Sequence, residues 1–182
     1  MPASPTPMPV SFADVRAAAE RIRGSVRRTP LIEAPPLPGL PGAKVYFKLE
    51  NLQWTGAFKL RGATNRLAQL SPEQARVGVV AASAGNHAQG VAWAARALGI
   101  PATIVMASTA SPMKVTATEA LGATVRLHGA DYEEAFEEAV RLAQAESLTL
   151  IHPFDDPGII AGQGTVGLEI LEELPATRRI IA

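Results

Sequence analysis

Lys59 is the residue of this chain best placed for nucleophilic chemistry. It sits between Phe58 and Leu60, with Gly56 and Gly62 on either side, inside the stretch Glu50–Ala63. That stretch joins a strand-like run, Lys44–Leu49, to a helix expected from about Leu60 to Leu70. A lysine held against apolar groups loses hydration of its charged form, which lowers its pKa and exposes a nucleophilic amine. The same position suits a lysine whose stem lies on apolar surface while its ammonium reaches water. The chain has four lysines, Lys44, Lys48, Lys59 and Lys114. Alternation along a strand puts Lys44 and Lys48 on one face, and Lys114 falls in the first turns of a helix.

Two glycine-bearing stretches offer binding chemistry. Ala82-Ser83-Ala84-Gly85-Asn86-His87-Ala88-Gln89-Gly90 follows an apolar run, Val77–Ala82, and opens a helix. Such a turn presents free backbone N–H groups and the positive end of a helix dipole, a ready site for an anion. Gly85 and Gly90 have the spacing of a phosphate-binding P-loop, but Val91-Ala92 stands where lysine and a hydroxyl residue belong, so that reading fails. Gly162-Gln163-Gly164-Thr165-Val166-Gly167 matches the dinucleotide pattern G-x-G-x-x-G and precedes an apolar-periodic helix, Leu168–Leu174. The required strand before it could only be the short Ile159–Ala161, after the turn-like Asp155–Gly158. A non-catalytic dinucleotide-binding or scaffold module is the reading this motif supports by itself.

The stretch around Lys59 closely resembles the cofactor-lysine segment of the fold-type II pyridoxal-phosphate enzymes, in the threonine/serine dehydratase and serine racemase branch. The block Ser83–Gly90 resembles the substrate-carboxylate loop of the same family, about 25 residues on. The resemblance implies that Lys59 carries pyridoxal 5'-phosphate as a Schiff base, with Phe58 beside the cofactor and Asn86 hydrogen-bonded to its 3-oxygen. It places Ser83, Ala84, Gly85, Asn86 and His87 around the carboxylate of an amino-acid substrate, largely through backbone N–H groups, and gives His87 no acid–base role. It implies elimination of water and ammonia from L-threonine or L-serine, with Lys59 as catalytic base, in a protein that is a homo-oligomer. Family members that racemise place a serine where this chain has Ala84, so a dehydratase is expected before a racemase. The glycine–glutamine–glycine run is, in the family, a structural helix start.

Those residues need a scaffold of alternating strands and helices. Ser11 suits an N-cap for a helix ending near Arg23 and Gly24. Val77–Ala82, Ala102–Met106, Thr124–His128 and Leu148–His152 read as strands, and Asn86–Leu98, Pro112–Leu121 and Tyr132–Glu146 as the helices between them. Ser111 with Pro112, Gly122, and Asp131 with Glu134 supply caps and stops. The alternation implies an α/β fold with a parallel sheet. Glu133, Glu134, Glu137 and Glu138 read as the solvated face of the last helix. The resemblance then implies a small parallel αβ domain over 71–151, inserted in a larger αβ domain formed by 11–70 plus 152–182, after a disordered lead-in over 1–10.

Composition narrows the classes further. Hydrophobic residues make up 47% of the 182, enough for a core that buries roughly 70% of the unfolded surface. Seventeen basic and seventeen acidic side chains cancel without a like-charge block, which argues against a nucleic-acid or anionic-membrane surface. No cysteine is present, excluding disulfides and thiolate chemistry, and no metal site is expected. No apolar run reaches membrane-span length, and a soluble, cytoplasmic enzyme is the expectation. Arg178–Ala182 reads as the start of a strand that, in the family, leads to a glycine loop for the cofactor phosphate. The larger domain is therefore expected to be incomplete, and the 182-residue polypeptide alone to be nearly inactive.

Overall fold

The computed structural model describes residues 10–39 and 42–181; of the expected lead-in over 1–10, all but Val10 lies outside them. The described residues form seven α-helices and six strands. Helix α1 (Phe12–Ile22) starts at Ser11, whose hydroxyl accepts from the Asp14 amide while the Asp14 carboxylate accepts from the Ser11 amide. Strands β1 (Leu31–Glu33) and β2 (Tyr46–Lys48) form an antiparallel ribbon in which Ile32 faces Phe47. Lys44, expected in this strand, precedes it.

A 3₁₀ turn over Glu50–Leu52 leads to α2 (Lys59–Leu67), so Lys59 is the first helical residue and the helix stops three residues short of Leu70. The short helix α3 (Pro72–Val77) replaces the first residue of the strand expected from Val77. Ser71 and Gln74 cap it reciprocally, Pro72 occupies its first position, and Gly78, at φ +111°, turns the chain into β3 (Val79–Ala82). A capping box beginning Ser-Pro dictates a helix, and the apolar run behind it was too short to reveal that.

The remaining elements are α4 (Asn86–Leu98), β4 (Ala102–Met106), α5 (Pro112–Ala120), β5 (Thr124–Leu127), α6 (Tyr132–Ala145), β6 (Thr149–Leu150) and α7 (Pro157–Glu173). Strands β3 to β6 form a parallel sheet in the order β5-β4-β3-β6. Alternation along β3 divides the core. Val79 and Ala81 face Val91, Ala92 and Ala95 of α4 and Leu60, Ala63 and Leu67 of α2, whereas Val80 and Ala82 face Ala135, Ala139 and Leu142 of α6. All four β3 residues are buried, as expected of a central parallel strand.

Three expectations change. Glu138 is buried rather than solvated, because Arg141 and Arg126 on its two sides pair with it. The Glu134 carboxylate accepts from the Ala130 amide rather than from Asp131, so Asp131 caps α6 by itself. No strand forms over 178–181: a strand needs a neighbour to bond, and among the described residues none pairs with it. Among the described residues no helix is long and apolar enough to cross a membrane.

The G-x-G-x-x-G match lies wholly inside α7, which runs without a break from Pro157 instead of starting at Leu168. A dinucleotide loop needs those glycines between a strand and a helix. Here they make room for neighbouring helices. A Cβ on Gly162 would lie 2.6 Å from the Gly62 Cα of α2, and one on Gly164 would lie 2.9 Å from Val15 of α1. The dinucleotide reading is overturned.

Candidate active site

The sheet order reverses between β3 and β6, since β4 and β5 follow on one side of β3 and β6 returns on the other. In open α/β sheets the crevice at such a switch point, beyond the carboxyl ends of the strands, is where ligands sit. Residues Ser83–Gly85 leave β3 at that end, and Ile151–Asp155 leave β6 beside them.

Lys59 reaches this crevice from α2. Its Nζ donates to the Pro153 carbonyl at 2.8 Å and lies 5.6 Å from the centre of the Phe58 ring. Burial lowers its pKa below the ordinary lysine value, because the ammonium has lost water and its acceptor is an uncharged carbonyl. Phe58, the N-cap of α2, exposes 42% of its surface beside it. Lys48 is disposed quite differently: its side chain is 5% exposed and ion-paired to Glu169 at 2.6 Å.

Ser83, Ala84 and Gly85 form the turn between β3 and α4, with the Gly85 amide bonded to Ser83 Oγ at 3.1 Å. Asn86 opens α4 and is exposed, and no side chain caps the helix, so its first N–H groups stay open to a ligand. Asn86 and Gly90 share one face of α4, one turn apart. Gly90 rests against the Lys59–Leu60 peptide: a Cβ there would lie 3.2 Å from Lys59 C and Leu60 N. That close approach turns the Asn86 face of α4 towards Lys59.

His87 points into the protein. It is 3% exposed, its Nε2 lies 3.0 Å from the Ile151 carbonyl, and its Nδ1 is buried without a partner. Since Nε2 must donate to the carbonyl, Nδ1 carries the free lone pair. Burial, above all, lowers its pKa from 6.5 to about 4, with the Lys59 charge adding to the effect and the Ile151 hydrogen bond opposing it. His87 and Lys59 thus seize carbonyls two residues apart on the segment that follows β6.

Sequence reasoning missed the buried charges beneath the site. Arg61, fully buried, bonds both oxygens of Glu50, at 2.8 and 2.9 Å, and both of Glu169, at 2.7 and 3.0 Å. Thr29 donates to Glu50 at 2.6 Å, and Lys48 completes the set at Glu169. Burial opposes the charge on Arg61, but its hydrogen bonds to the two carboxylates hold its pKa above that of an ordinary arginine. For Glu169, burial likewise opposes ionisation, and Arg61 and Lys48 hold the carboxyl below the usual range. Two cations and two anions cancel, tying β2, the 3₁₀ turn, α2 and α7 together. Neither the single Arg61 nor the distant Glu169 carries a periodic signal that would announce the pairing.

Comparison with known proteins agrees with this geometry. The family described as "Pyridoxal-phosphate dependent enzyme" matches residues 22–182. L-threonine ammonia-lyase of Thermotoga maritima is 49% identical over 172 residues, 94% of this chain and 43% of that protein. Among solved structures, maize serine racemase is 39% identical with a TM-score of 0.87, over 92% of this chain and 51% of that one. The processed form of threonine deaminase isoform 2 from Solanum lycopersicum is 42% identical with a TM-score of 0.82, over 90% and 44%. The chain spans just under half the length of the curated relatives it matches, 43% of one and 48% of another. A family match over most of the chain and a switch-point crevice entered by a desolvated lysine agree: this chain belongs to the pyridoxal-phosphate dependent enzymes and has their fold-type II α/β architecture.

Proposed function

We propose that this chain carries the lysine half of an active site that converts L-threonine or L-serine to a 2-oxo acid and ammonia. The observation that carries the reading is the Lys59 amine, desolvated by burial and held by a neutral carbonyl at the switch point of the sheet. The residues present fit pyridoxal phosphate: Lys59 would hold it, Phe58 would lie beside its ring, and Asn86 would meet its 3-oxygen. When bound, the cofactor supplies an electron sink for the charge left on the substrate α-carbon.

The chain's own residues do the rest. The open N–H groups at the start of α4, at its positive end, hold the amino-acid carboxylate, with Ser83, Ala84 and Gly85 of the preceding turn beside it. Lys59, once its amine is free and neutral, takes the α-proton at Nζ. His87 stays neutral and bonded to Ile151, so it orients the turn rather than moving a proton. Ala84 offers no group to deliver a proton from the opposite face, which favours elimination over racemisation. In the same proposal residues 71–151 form the small domain and 11–70 plus 152–182 belong to the larger one. In support, the parallel sheet is built entirely from residues 79–150.

Borohydride reduction of the protein with pyridoxal phosphate, followed by peptide mapping, should place the pyridoxyl group on Lys59. Assays of the complete enzyme should find ammonia and 2-oxo acid from L-threonine or L-serine, with little D-serine. Label concentrated on Lys44, Lys48 or Lys114 in place of Lys59 overturns the assignment, and D-serine as the main product overturns the role of Ala84.

A further inference from the structure

The Gly162-Gln163-Gly164 motif is not used by the chemistry proposed above, yet it lies against the peptide that carries Lys59. In the six other α-helices the amide of the fourth residue donates to the carbonyl of the N-cap: Val15 to Ser11, Ala75 to Ser71, Gln89 to Gly85, Val115 to Ser111, Ala135 to Asp131 and Ile160 to Asp156. Helix α2 is wound differently. The Phe58 carbonyl takes the Arg61 amide at 2.9 Å, and the Gly62 amide donates instead to Gln163 Oε1 at 3.1 Å. The other end of the same side-chain amide, Gln163 Nε2, reaches the Lys59 carbonyl at 3.4 Å.

The two glycines make this reach possible. With Gly162 seated on the Gly62 Cα, α7 comes close enough for one glutamine to span the first turn of α2. A side chain at Gly62 would strike that amide, since its Cβ would lie 2.6 Å from Gln163 Nε2. On the opposite side the Lys59–Leu60 peptide rests on Gly90 of α4. The peptide is thus clamped between the helix that presents Asn86 and a side-chain amide from α7.

We infer that Gln163 is a positioning residue for Lys59, capping α2 from a neighbouring helix and fixing the direction in which the lysine leaves the backbone. The inference rests on Lys59 being the cofactor lysine. A tight first turn, with Phe58 O bonded to Arg61 N rather than to Gly62 N, rotates Lys59 relative to a regular helical start. Gln163 accepts the amide that this winding sets free and so stabilises it. Displacement of the lysine by a fraction of its reach is felt in reaction rate, because attack requires the amine and the carbonyl carbon in near-contact geometry.

The test is site-resolved labelling with pyridoxal phosphate and borohydride across pH, read as the plateau ratio of label at Lys59 to label at the exposed Lys44 and Lys114. Gln163→Met keeps the volume and loses both hydrogen bonds, and it should lower that ratio about tenfold. Gln163→Glu keeps the acceptor for Gly62 and should stay within about threefold of the parent at its plateau. A purely structural glutamine would lower thermal stability in both variants without changing where the label goes. A folded Gln163→Met with the parent's ratio, or equal losses in both variants, overturns the inference. Should Gln163→Met not fold, the unaltered protein decides. Through-hydrogen-bond NMR coupling should join the Gly62 amide nitrogen to the Gln163 side-chain carbonyl, and coupling to the Phe58 carbonyl instead overturns it. Failure of the parent to be labelled at Lys59 removes the proposed function itself. A labelled parent matched by Gln163→Met removes only the role of Gln163.

Discussion

Lys59 Nζ donates to the carbonyl of Pro153, 94 residues along the chain, rather than to any carboxylate. A neutral acceptor relieves part of the lost hydration but does not stabilise the ammonium as an anion would, so the site lowers the pKa of the lysine. The group serves reactivity at some cost to the fold. Lys59→Met should therefore leave unfolding free energy within about 1 kcal/mol of the parent, or slightly above it, while removing the label that maps to position 59 and leaving that on Lys44 and Lys114. Urea unfolding checks the first part. A loss of several kcal/mol would mean that the Pro153 bond is structural.

His87 makes stability depend on pH. Its folded pKa, about 4, lies below the unfolded value of 6.5, so between those values the unfolded chain binds the proton that the native state refuses. Stability falls as pH drops from about 6.5 to 4 and then stops falling on this account. Across the full window the loss is on the order of 3 kcal/mol. Lys59 from α2 and His152 beyond β6 act on the ring in the same direction as burial. His87→Gln keeps a donor for Ile151 and cannot protonate. Denaturant titrations at pH 4.5 and 6.5 should show the pH dependence of the parent flattened in this variant, and an unchanged slope counts against the buried neutral imidazole.

The α/β alternation was legible because parallel strands and their helices are written locally. Asn86–Leu98 and Ala102–Met106 occupy the expected residues, and the glycines at 99 and 122 stop helices as small residues at positive φ should. The Lys59 and Asn86 segments were legible as contiguous blocks. What escaped was written across distance. Arg61 is an ordinary polar residue in sequence and becomes a buried hub only when α7 delivers Glu169. Gln163 matters because two glycines, 62 and 162, meet in space. Pro153 and Ile151 contribute through backbone carbonyls, which no side-chain pattern records.

Arg61 provides a direct measure of that hub. Arg61→Met removes the fork from two carboxylates that are 13% exposed and leaves Lys48 with one of them. An uncompensated buried charge should cost about 3–5 kcal/mol. Replacing Arg61 and Glu50 together by Met and Gln should recover much of it, because Lys48 and Glu169 then remain as a pair. Urea unfolding of the single and double variants tests this, and a single variant as stable as the parent would show that the pairs contribute little.

The glycines of α7 separate a packing motif from a ligand loop. Gly162 and Gly167 both have helical backbone, so neither needs the left-handed region, and alanine raises helix propensity at each. They differ in space alone. A Cβ on Gly162 would stand 2.6 Å from Gly62 Cα and 2.7 Å from the Arg61 carbonyl, backbone atoms that cannot swing aside, whereas one on Gly167 meets nothing within 4 Å. Gly162→Ala should therefore destabilise by about 1–3 kcal/mol, the usual cost of overpacking, and push α7 away from the Lys59 turn. Gly167→Ala should stabilise by about 0.5–1 kcal/mol through helix propensity and lost freedom of the unfolded chain. Thermal unfolding of the two variants decides it, and opposite signs are required. Equal and negligible shifts would mean that the helices do not meet at Gly62 and Gly162. The account of how α7 reaches the lysine would then fail with them.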